Sequence, residues 1–438
     1  MENERLLFLF DQQKRVSTDT RQLRAGDIYF ALRGPRFNGN AYAAQALEAG
    51  AAYAVIDDPA YHSPRDPRYV LVDDTLTALQ DLARTRRRAL AFPIFGITGS
   101  NGKTTSKELV ASVLSTERRV FATRGNLNNH IGVPLTLLAI PEDTDIAIIE
   151  MGANKPGDIA ELAHIAEPTH GLITNVGYAH IEQLGDLDGV RRTKGALFDF
   201  VGARHGTLFV NAADPHVVRA AAPYAHHVRY GTSDADFHLE LLQNTPEGMQ
   251  LRIHSHVWDQ PLDLTSQLTG AYNAHNILAA VAVGQHFGTS RAGIQAGIFR
   301  YNPDNNRSQL LRRGDYTIWL DAYNANPSSM RASIQNIFNW RTEGVVLILG
   351  DMLELGEAGP THHRALGEFI NTFSPAAVIG IGPLMQDLVA VVQAPAYWAA
   401  SIEAAAPHLI EWIGGAHTLL LKGSRGIALE RLLDHLPA

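Results

Sequence analysis

Residues 93–106 join a short apolar run to two glycines, a lysine and two threonines, and these residue types can hold a polyphosphate. Gly99 and Gly102 let successive backbone N–H groups converge on an anion, and the positive end of a following helix adds to the attraction. Lys103 contributes a point charge, and Thr104 contributes a hydroxyl that can bind Mg²⁺. This order predicts a nucleoside triphosphate site at Gly99, Ser100, Asn101, Gly102, Lys103, Thr104 and Thr105.

The loop departs from the plain Walker pattern in one place. That pattern has glycine five residues before the Gly-Lys pair, where this chain has Ile97, and Gly96 sits one place early. The alternative interpretation is a tight turn with an incidental lysine. The succession of strand, glycines, Lys-Thr and helix start favours the phosphate site, with Lys103 as a catalytic residue.

Glu150 and His180 each follow an apolar run and are candidate metal ligands. A carboxylate at the end of run 145–152 is expensive to bury alone but favourable opposite a Mg²⁺ bound by Thr104. The alternative for Glu150 is a helix cap. For His180 the alternative is a hydrogen-bonded core imidazole, and the residues alone leave both open.

Lys194 lies in a predicted helix, two residues after Arg192 and three after Arg191. If the three side chains point the same way, the arginines disfavour a charged amine, and a neutral lysine is nucleophilic. The residues alone equally allow an ordinary surface lysine.

Composition narrows the class of protein. The chain has 438 residues, 45% of them hydrophobic, and a net charge of -8, which gives a nucleic-acid backbone no attractive field. Cysteine is absent, so disulfides and thiolate metal sites are excluded. The acidic start and the short run Leu6–Phe10 predict a cytoplasmic protein with no membrane insertion. Arg84 and Arg86–Arg88 are predicted to form a solvated helix C-terminus, with anion binding as the alternative.

The apolar runs predict an α/β chain of three domains, at 1–90, 91–306 and 307–438. The first is a small α/β unit. The second has strands separated by helical segments, which predicts a mainly parallel sheet with helices on both faces. A turn-rich stretch at 301–306 suits a linker, and the third domain repeats the parallel pattern. The predicted strands of the second and third domains are 93–98, 145–152, 171–177, 207–211, 316–320, 345–349, 377–381 and 418–421.

Polar clusters follow these predicted strands at the point where each strand ends. Ligands of open parallel sheets collect beyond the carboxyl ends of the strands, so the clusters predict binding sites. In the second domain they lie at 98–104, 150–152, 175–180 and 211–214, and in the third at 321–327, 350–356 and 422–425. We expect the two domains to face a shared cleft.

The order of motifs along nearly the whole chain resembles the Mur ligase family. Besides the phosphate loop, the motifs are Ser17-Thr-Asp-Thr-Arg21, Gly26-Asp27, Asn126-Leu-Asn-Asn-His-Ile-Gly-Val-Pro134, Glu150-Met-Gly152, Asn175-Val-Gly-Tyr-Ala-His180, Asn273-Ala-His-Asn276, Asp321-Ala-Tyr-Asn-Ala-Asn-Pro327, Gly350-Asp-Met-Leu-Glu-Leu-Gly356 and Lys422-Gly-Ser-Arg425. The resemblance implies three domains: an N-terminal domain for the UDP-sugar-peptide, a central P-loop ATPase domain and a C-terminal Rossmann-like domain that closes over the nucleotide.

Two third-domain motifs, 323–327 and 351–356, are similar to those of the family member that adds D-alanyl-D-alanine to a UDP-N-acetylmuramoyl-tripeptide. The resemblance therefore implies an ATP-dependent amide ligase of peptidoglycan precursor synthesis, acting through an acyl phosphate. Another Mur ligase, a ligase like folylpolyglutamate synthase, and a non-catalytic nucleotide-regulated binding protein are the alternatives. We expect a monomer, and the acceptor tripeptide can end in diaminopimelate or lysine.

The resemblance also implies roles for individual residues. Lys103, Lys194 and His180 are catalytic, and Lys194 is carbamylated, which converts the amine into a carboxylate-like metal bridge. The implied metal ligands are Thr104, Glu150, His180 and Lys194. Nucleotide contacts outside the loop are Asn273 and Asn276 near the adenine, and Arg307 and Asp321 from the third domain. The implied substrate contacts are Ser17, Thr18 and Arg21 at the uridine end, Asn128 and Asn129 at the muramoyl-peptide, and Tyr323, Asn324, Asn326, Lys422 and Arg425.

Several positions depart from the family pattern. Tyr272 replaces a histidine, Leu320 stands where many members have an aspartate, and Ala196 replaces an acidic residue. Asn38 and Asn40 replace aspartate and histidine in the first domain. These departures put nucleotide affinity and the geometry of the uridine end in question.

Overall fold

The computed structural model describes residues 2–178, 181–303 and 307–437. Within them the chain forms three α/β units, each built on its own sheet, and the predicted α/β class with three domains is confirmed. Among these residues, no helix is both long and apolar enough to cross a bilayer.

The first unit is a small parallel sheet with helices packed against it. Its strands, in spatial order, are Val16–Ser17, Ile28–Phe30, Tyr53–Ile56 and Tyr69–Leu71, and Arg33–Gly34 pairs separately with Phe37–Asn38. Its α-helices are Glu2–Gln13, Ala43–Glu48 and Thr75–Ala89.

Helix Thr75–Ala89 joins the first unit to the second. Asp74 caps its start by accepting a hydrogen bond from the Thr77 N–H at 2.7 Å. The prediction of a solvated arginine cluster at its end is wrong for Arg87. That side chain is buried and donates from Nε to the Ala166 carbonyl at 3.0 Å and from Nη2 to the Glu167 carbonyl at 3.0 Å. The guanidinium thus ties the helix to the second unit.

The second unit contains a sheet of nine strands within the described residues. Their spatial order is Leu262–Ser266, Gly248–Ser255, Phe237–Thr245, His227–Tyr230, Thr207–Asn211, His170–Ile173, Ile94–Thr98, Ile146–Glu150 and Val120–Ala122. The α-helices are Lys103–Leu114, Gly132–Leu138, Asp158–Ala166, Ile181–Leu184, Leu187–Gly202, Pro215–Ala221, Ala274–His286 and Arg291–Arg300.

Helices cover both faces of this sheet, as the sequence predicts. Alternate residues of the central strand enter two separate cores: Ile94 packs in one, and Phe95 and Ile97 pack in the other. The strands from Phe237 onward pair antiparallel, an extension that the sequence pattern did not predict. Strand Leu262–Ser266 alternates buried and exposed residues, which is typical of an antiparallel strand with one solvated face.

The third unit is a six-stranded sheet within the described residues, parallel except for its first pair. The order is Gln309–Arg313, Tyr316–Asp321, Thr418–Lys422, Val345–Gly350, Ala377–Ile381 and Ala396–Ala399. The α-helices are Pro327–Trp340, Gly359–Ile370, Met385–Val389, Ile402–Ala405 and Leu409–Ile413.

Strand register places the important side chains at the strand ends. In the second unit Ile97 pairs with Glu150, so the carboxylate lies beside the start of the phosphate loop. In the third unit Asp321 pairs with Lys422.

Candidate active site

A cleft of about 600 Å³ lies between the second and third units, where their polar strand ends face each other. It brings together most of the residues proposed from the sequence: Ser100, Asn101, Gly102, Lys103, Thr104, Thr105, Asn128, Asn129, Glu150, Asn273, Asn276, Arg307, Asp321, Tyr323, Asn324 and Lys422. The predicted shared cleft is therefore present.

The phosphate loop has the backbone that its glycines predict. Gly102 has φ 76°, a left-handed conformation that favours glycine, and helix Lys103–Leu114 begins at the next residue. Gly99 has φ 153°, and a side chain there would collide with Thr174. The N-terminal N–H groups of the helix therefore point at the cleft, in position for a phosphate.

Neighbouring strand ends hold the loop in place. The Asn101 N–H donates to Asn175 Oδ1 at 3.0 Å, and the Asn101 carbonyl accepts from Thr174 Oγ1 at 2.6 Å. The Ser100 N–H donates to the Asn175 carbonyl at 3.0 Å. The cradle is therefore rigid before a nucleotide enters, which lowers the entropy lost on binding.

Lys103 curls back over the loop and donates to the Gly99 carbonyl at 2.6 Å. Burial lowers the pKa of its amine, although the nearby Glu150 carboxylate opposes that shift. A phosphate at the helix start would supply the counter-charge that the amine lacks.

Glu150 offers one carboxylate oxygen to a cation. Its Oε1 accepts from Asn128 Nδ2 at 2.8 Å, whereas its Oε2 is buried and has no hydrogen-bond donor among the described residues. Mg²⁺ is usually held by one or two carboxylates together with substrate phosphates and water. Glu150 and the Thr104 hydroxyl fit such a site, although no group of three or more His, Cys, Asp or Glu side chains in the described chain is arranged to hold a metal alone.

Lys194 is a deeply buried lysine rather than a surface one, because only 1% of it is exposed. Burial drives its pKa well below the ordinary value, and the positive charge of Lys103 adds to the shift. The expected role of Arg191 and Arg192 is not seen, since both pair with Asp188. Lys194 is thus held as an amine that favours its neutral, nucleophilic form.

His180, predicted as a metal ligand and catalytic residue, lies outside the described residues.

Asn273 and Asn276 form the side of the cleft next to the loop. Asn276 Nδ2 donates to Asn273 Oδ1 at 2.9 Å, and Asn276 Oδ1 accepts from Ser106 at 3.1 Å. Tyr272, the departure from histidine, has its hydroxyl 2.8 Å from Ser308 Oγ. This position therefore supplies a hydrogen bond to the third unit.

The third-unit wall contains a preformed ion pair. Lys422 Nζ lies 2.6 Å from Asp321 Oδ2, and Ser333 Oγ donates to the same oxygen at 2.9 Å. Burial alone would raise the pKa of Asp321, but the lysine charge and these hydrogen bonds hold it below the ordinary value. Leu320, the other departure, is buried in the core.

Aromatic and amide side chains complete this wall. The Arg307 guanidinium lies 3.8 Å from the Tyr323 ring centroid, and that of Arg425 lies 5.0 Å from it. Asn326 Nδ2 donates to Asn101 Oδ1 at 2.7 Å, which joins the third unit to the phosphate loop.

The proposed uridine contacts, Ser17, Thr18 and Arg21, do not line this cleft. Arg21 is exposed and pairs with Asp19 at 2.8 Å.

Asn38 and Asn40 form a local network in the first unit. Asn40 Nδ2 donates to Asp57 Oδ1 at 2.8 Å and to Asn38 Oδ1 at 2.9 Å. Both departures are therefore satisfied within their own unit.

Sequence reasoning missed several residues of the site, among them two ionisable side chains next to it, Lys107 and Glu354. Lys107 is buried beside Glu150, and burial raises the pKa of Glu354, a shift that the charge of Lys103 opposes. Lys107 comes one helical turn after Lys103, and Glu354 lies within a motif already quoted, so both had a usable signal.

Family models match three parts of the chain. They are described as the Mur ligase family catalytic domain at residues 13–87, the Mur ligase middle domain at 97–284 and the Mur ligase glutamate ligase domain at 306–425.

Individual proteins match over most of their length. The UDP-N-acetylmuramoyl-tripeptide--D-alanyl-D-alanine ligase of Bacillus subtilis is 37% identical over 81% of this chain and 77% of its own. The crystal structure of MurF from Acinetobacter baumannii has a TM-score of 0.88 and 29% identity, covering 96% of this chain and 93% of its own. MurF ligase from Thermotoga maritima, solved in complex with ADP, has a TM-score of 0.86 and 26% identity, covering 97% of each chain.

Proposed function

This chain belongs to the Mur ligase family, and we propose that it adds D-alanyl-D-alanine to a UDP-N-acetylmuramoyl-tripeptide with ATP as the energy source. It is an ATP-dependent ligase of peptidoglycan precursor synthesis. The observation that carries this function is the single cleft in which the phosphate loop of the second unit meets the Tyr323 and Lys422 segments of the third.

The reaction needs two displacement steps. In the first, a carboxylate oxygen of the tripeptide attacks the γ-phosphorus of ATP, the bond to the β-phosphate oxygen breaks, and ADP leaves. In the second, the amine of D-alanyl-D-alanine attacks the acyl-phosphate carbon and loses a proton. The tetrahedral intermediate then expels inorganic phosphate and leaves the new amide. No protein side chain needs to act as a nucleophile.

The protein contributes position and charge. Lys103 and the helix N–H groups stabilise negative charge on the transferred phosphoryl group. Mg²⁺, when bound, neutralises phosphate charge, and Thr104 and Glu150 are the described residues that would hold it. Asn326 bonds to Asn101 of the phosphate loop, and Arg307 lines the same cleft. Third-unit side chains in this position would shield an acyl phosphate from water.

We propose that Lys194 is carbamylated. The neutral amine attacks CO₂ and loses a proton, forming an N–C bond and a carbamate. The support is its burial, its lowered pKa and the neighbouring Lys103 charge. The carbamate would place a negative charge where the amine is held neutral, close to the positive charge of Lys103.

The remaining contacts extend this proposal. Asn273, Asn276, Arg307 and Asp321 are assigned to the nucleotide, and Asn128, Asn129, Tyr323, Asn324, Asn326, Lys422 and Arg425 to the peptide substrates. Ser17, Thr18 and Arg21 are assigned to the uridine end, and His180 to metal. We also propose a cytoplasmic monomer, in keeping with nucleotide substrates.

Product formation tests the function. The purified protein is incubated with ATP, Mg²⁺ and each UDP-tripeptide, ending in diaminopimelate or lysine, and then with D-alanyl-D-alanine, glutamate or single amino acids. We expect an amide product only with the dipeptide, and ¹⁸O transfer from the tripeptide carboxylate to inorganic phosphate. Product with glutamate instead would favour another ligase of this fold, and no phosphate release would favour a binding protein.

A further inference from the structure

Lys107 lies beside the carboxylate of Glu150, next to the oxygen Oε2 that has no hydrogen-bond donor among the described residues. Its Nζ is 3.7 Å from Glu150 Oε2, and only 3% of the residue is exposed. At this separation the ammonium repels a cation bound by the carboxylate, because few water molecules can screen buried charges.

The ammonium of Lys107 is fixed by groups other than Glu150. Nζ donates to the Thr123 carbonyl at 2.8 Å and lies 3.8 Å from Glu108 Oε1. Glu108 in turn accepts from the Tyr301 hydroxyl at 2.8 Å. The lysine therefore has contacts that hold it in place when Glu150 binds a cation.

The same segment also fixes Glu150. The Glu150 N–H donates to Thr123 Oγ1 at 3.0 Å, so Thr123 binds both the glutamate backbone and the lysine ammonium. Lys107 and Glu150 thus keep a set separation through one shared residue.

Residue choice supports a specific need for lysine here. The chain has 37 lysine and arginine residues, of which only six are lysines, and three of these, Lys107, Lys194 and Lys422, are buried. Lys422 lines the cleft, and Lys107 contacts Glu150, which also lines it. Arginine is used nearly everywhere else. A compact ammonium at these positions provides a point charge that the larger planar guanidinium cannot provide.

We propose that Lys107 is a positioning residue that limits the affinity of the site for its divalent cation, so that the cation and nucleotide can leave after the reaction. This inference rests on the proposed role of Glu150 as a cation ligand. A fixed positive charge beside Oε2 of the ligand repels a divalent ion, whereas the hydrogen bond from the Glu150 N–H to Thr123 keeps the ligand oriented. The result is a site whose ligand is ordered but whose affinity for the cation is limited.

Two substitutions separate charge from anchoring. Lys107→Gln removes the charge but retains a donor for the Thr123 carbonyl, and Lys107→Met removes both. Mn²⁺ replaces Mg²⁺ as the probe, and its dissociation constant is measured by electron paramagnetic resonance on the full-length protein with ADP. We expect both variants to bind Mn²⁺ at least about fivefold more tightly than the unmodified chain. Lys14→Met, at an exposed lysine, is the matched control and should not change the constant.

Steady-state kinetics give a second readout. Tighter retention of the cation predicts a lower concentration of Mg²⁺ for half-maximal rate in Lys107→Gln, together with a lower kcat. Unchanged or weaker Mn²⁺ binding by Lys107→Gln overturns the proposal, and this variant decides the matter if Lys107→Met fails to fold.

Glu150→Gln separates the role of Glu150 as a cation ligand from the role of Lys107 in limiting cation affinity. Weaker Mn²⁺ binding by Glu150→Gln, combined with no tightening in Lys107→Gln, removes only the role of Lys107. Unchanged Mn²⁺ binding by Glu150→Gln removes the cation-ligand role itself, and the proposal for Lys107 falls with it.

Discussion

The two walls of the cleft treat a buried lysine in opposite ways. On the third-unit wall, Lys422 contacts Asp321 at 2.6 Å and the Asn324 carbonyl at 3.3 Å. On the second-unit wall, Lys194 is equally buried but has no hydrogen bond or ion pair to any residue the structure describes. A charge removed from water needs a partner, so one wall keeps a permanent ion pair and the other disfavours a charged amine.

The difference shows that burial alone does not determine the state of a lysine. Strand register places Asp321 directly opposite Lys422, so the sheet itself builds the pair. Lys194 instead comes from helix Leu187–Gly202, and the nearest described charge that lowers its pKa is another lysine, Lys103. The Asp321–Lys422 ion pair suits the binding of a substrate, whereas the neutral amine of Lys194 suits a chemical modification.

The largest expected effect is on the second-unit wall, at Lys103. Lys103→Ala should lower kcat by about a thousandfold or more, because the amine stabilises charge only while the phosphoryl group moves. Phosphate release in a coupled assay measures it, with circular dichroism as the check on folding. Full activity in this variant would end the proposal of phosphoryl transfer at this loop.

Lys194→Ala sharpens the contrast between the walls. We expect activity near background, with partial recovery when a small carboxylic acid such as acetate or propionate is added, because the free acid can replace the carbamate. For the protein without substitutions, the intact mass measured in bicarbonate should exceed the mass of the sequence by that of one CO₂. A normal mass together with unaltered activity in the variant contradicts carbamylation.

Lys422→Met tests the ion pair on the other wall. Removing the lysine leaves the largely buried Asp321 carboxylate, 16% exposed, without its cation, so the free energy of unfolding should fall by about 3 kcal/mol. The double variant Asp321→Asn with Lys422→Met should recover most of the loss in urea denaturation. Equal destabilisation by the single and double variants would show that the pair is not the cause.

The smallest expected effect is the pH dependence of stability in Lys194→Met. The folded-state pKa of Lys194 lies well below 10.5, the ordinary value for lysine. At pH values between the folded-state and the ordinary pKa, the unfolded state binds one more proton than the folded state, so stability rises with pH. Methionine removes this dependence. In CO₂-free buffer the variant should melt above the unmodified chain at pH 7, with the difference narrowing toward pH 9.5. A constant difference would mean that Lys194 is not held neutral.

Much of the fold could be predicted from the sequence. Parallel strands ending in polar clusters gave the cleft, because ligand sites collect where such strands end. The antiparallel strands from Phe237 onward were missed, since strands with only some of their residues buried lack the continuous apolar run of a central parallel strand. The boundaries near 90 and 307 stay a prediction, as do the roles of the individual site residues.

Contacts across long stretches of chain were harder to predict. Arg87 was expected in solvent, but its guanidinium bonds to carbonyls about 80 residues further along. In the sequence, an arginine that is solvated cannot be told from one that is buried against backbone carbonyls, because the carbonyl acceptors have no sequence signature.

The sequence by itself determined the local form of the phosphate loop, since the glycine at the left-handed turn and the helix start at Lys103 are properties of neighbouring residues. The tertiary structure decided which carboxylates the buried lysines around it meet. Lys107 meets Glu150, and Lys422 meets Asp321, only after the strands between them have paired, because the energy of a buried charge depends on groups that folding brings from elsewhere in the chain.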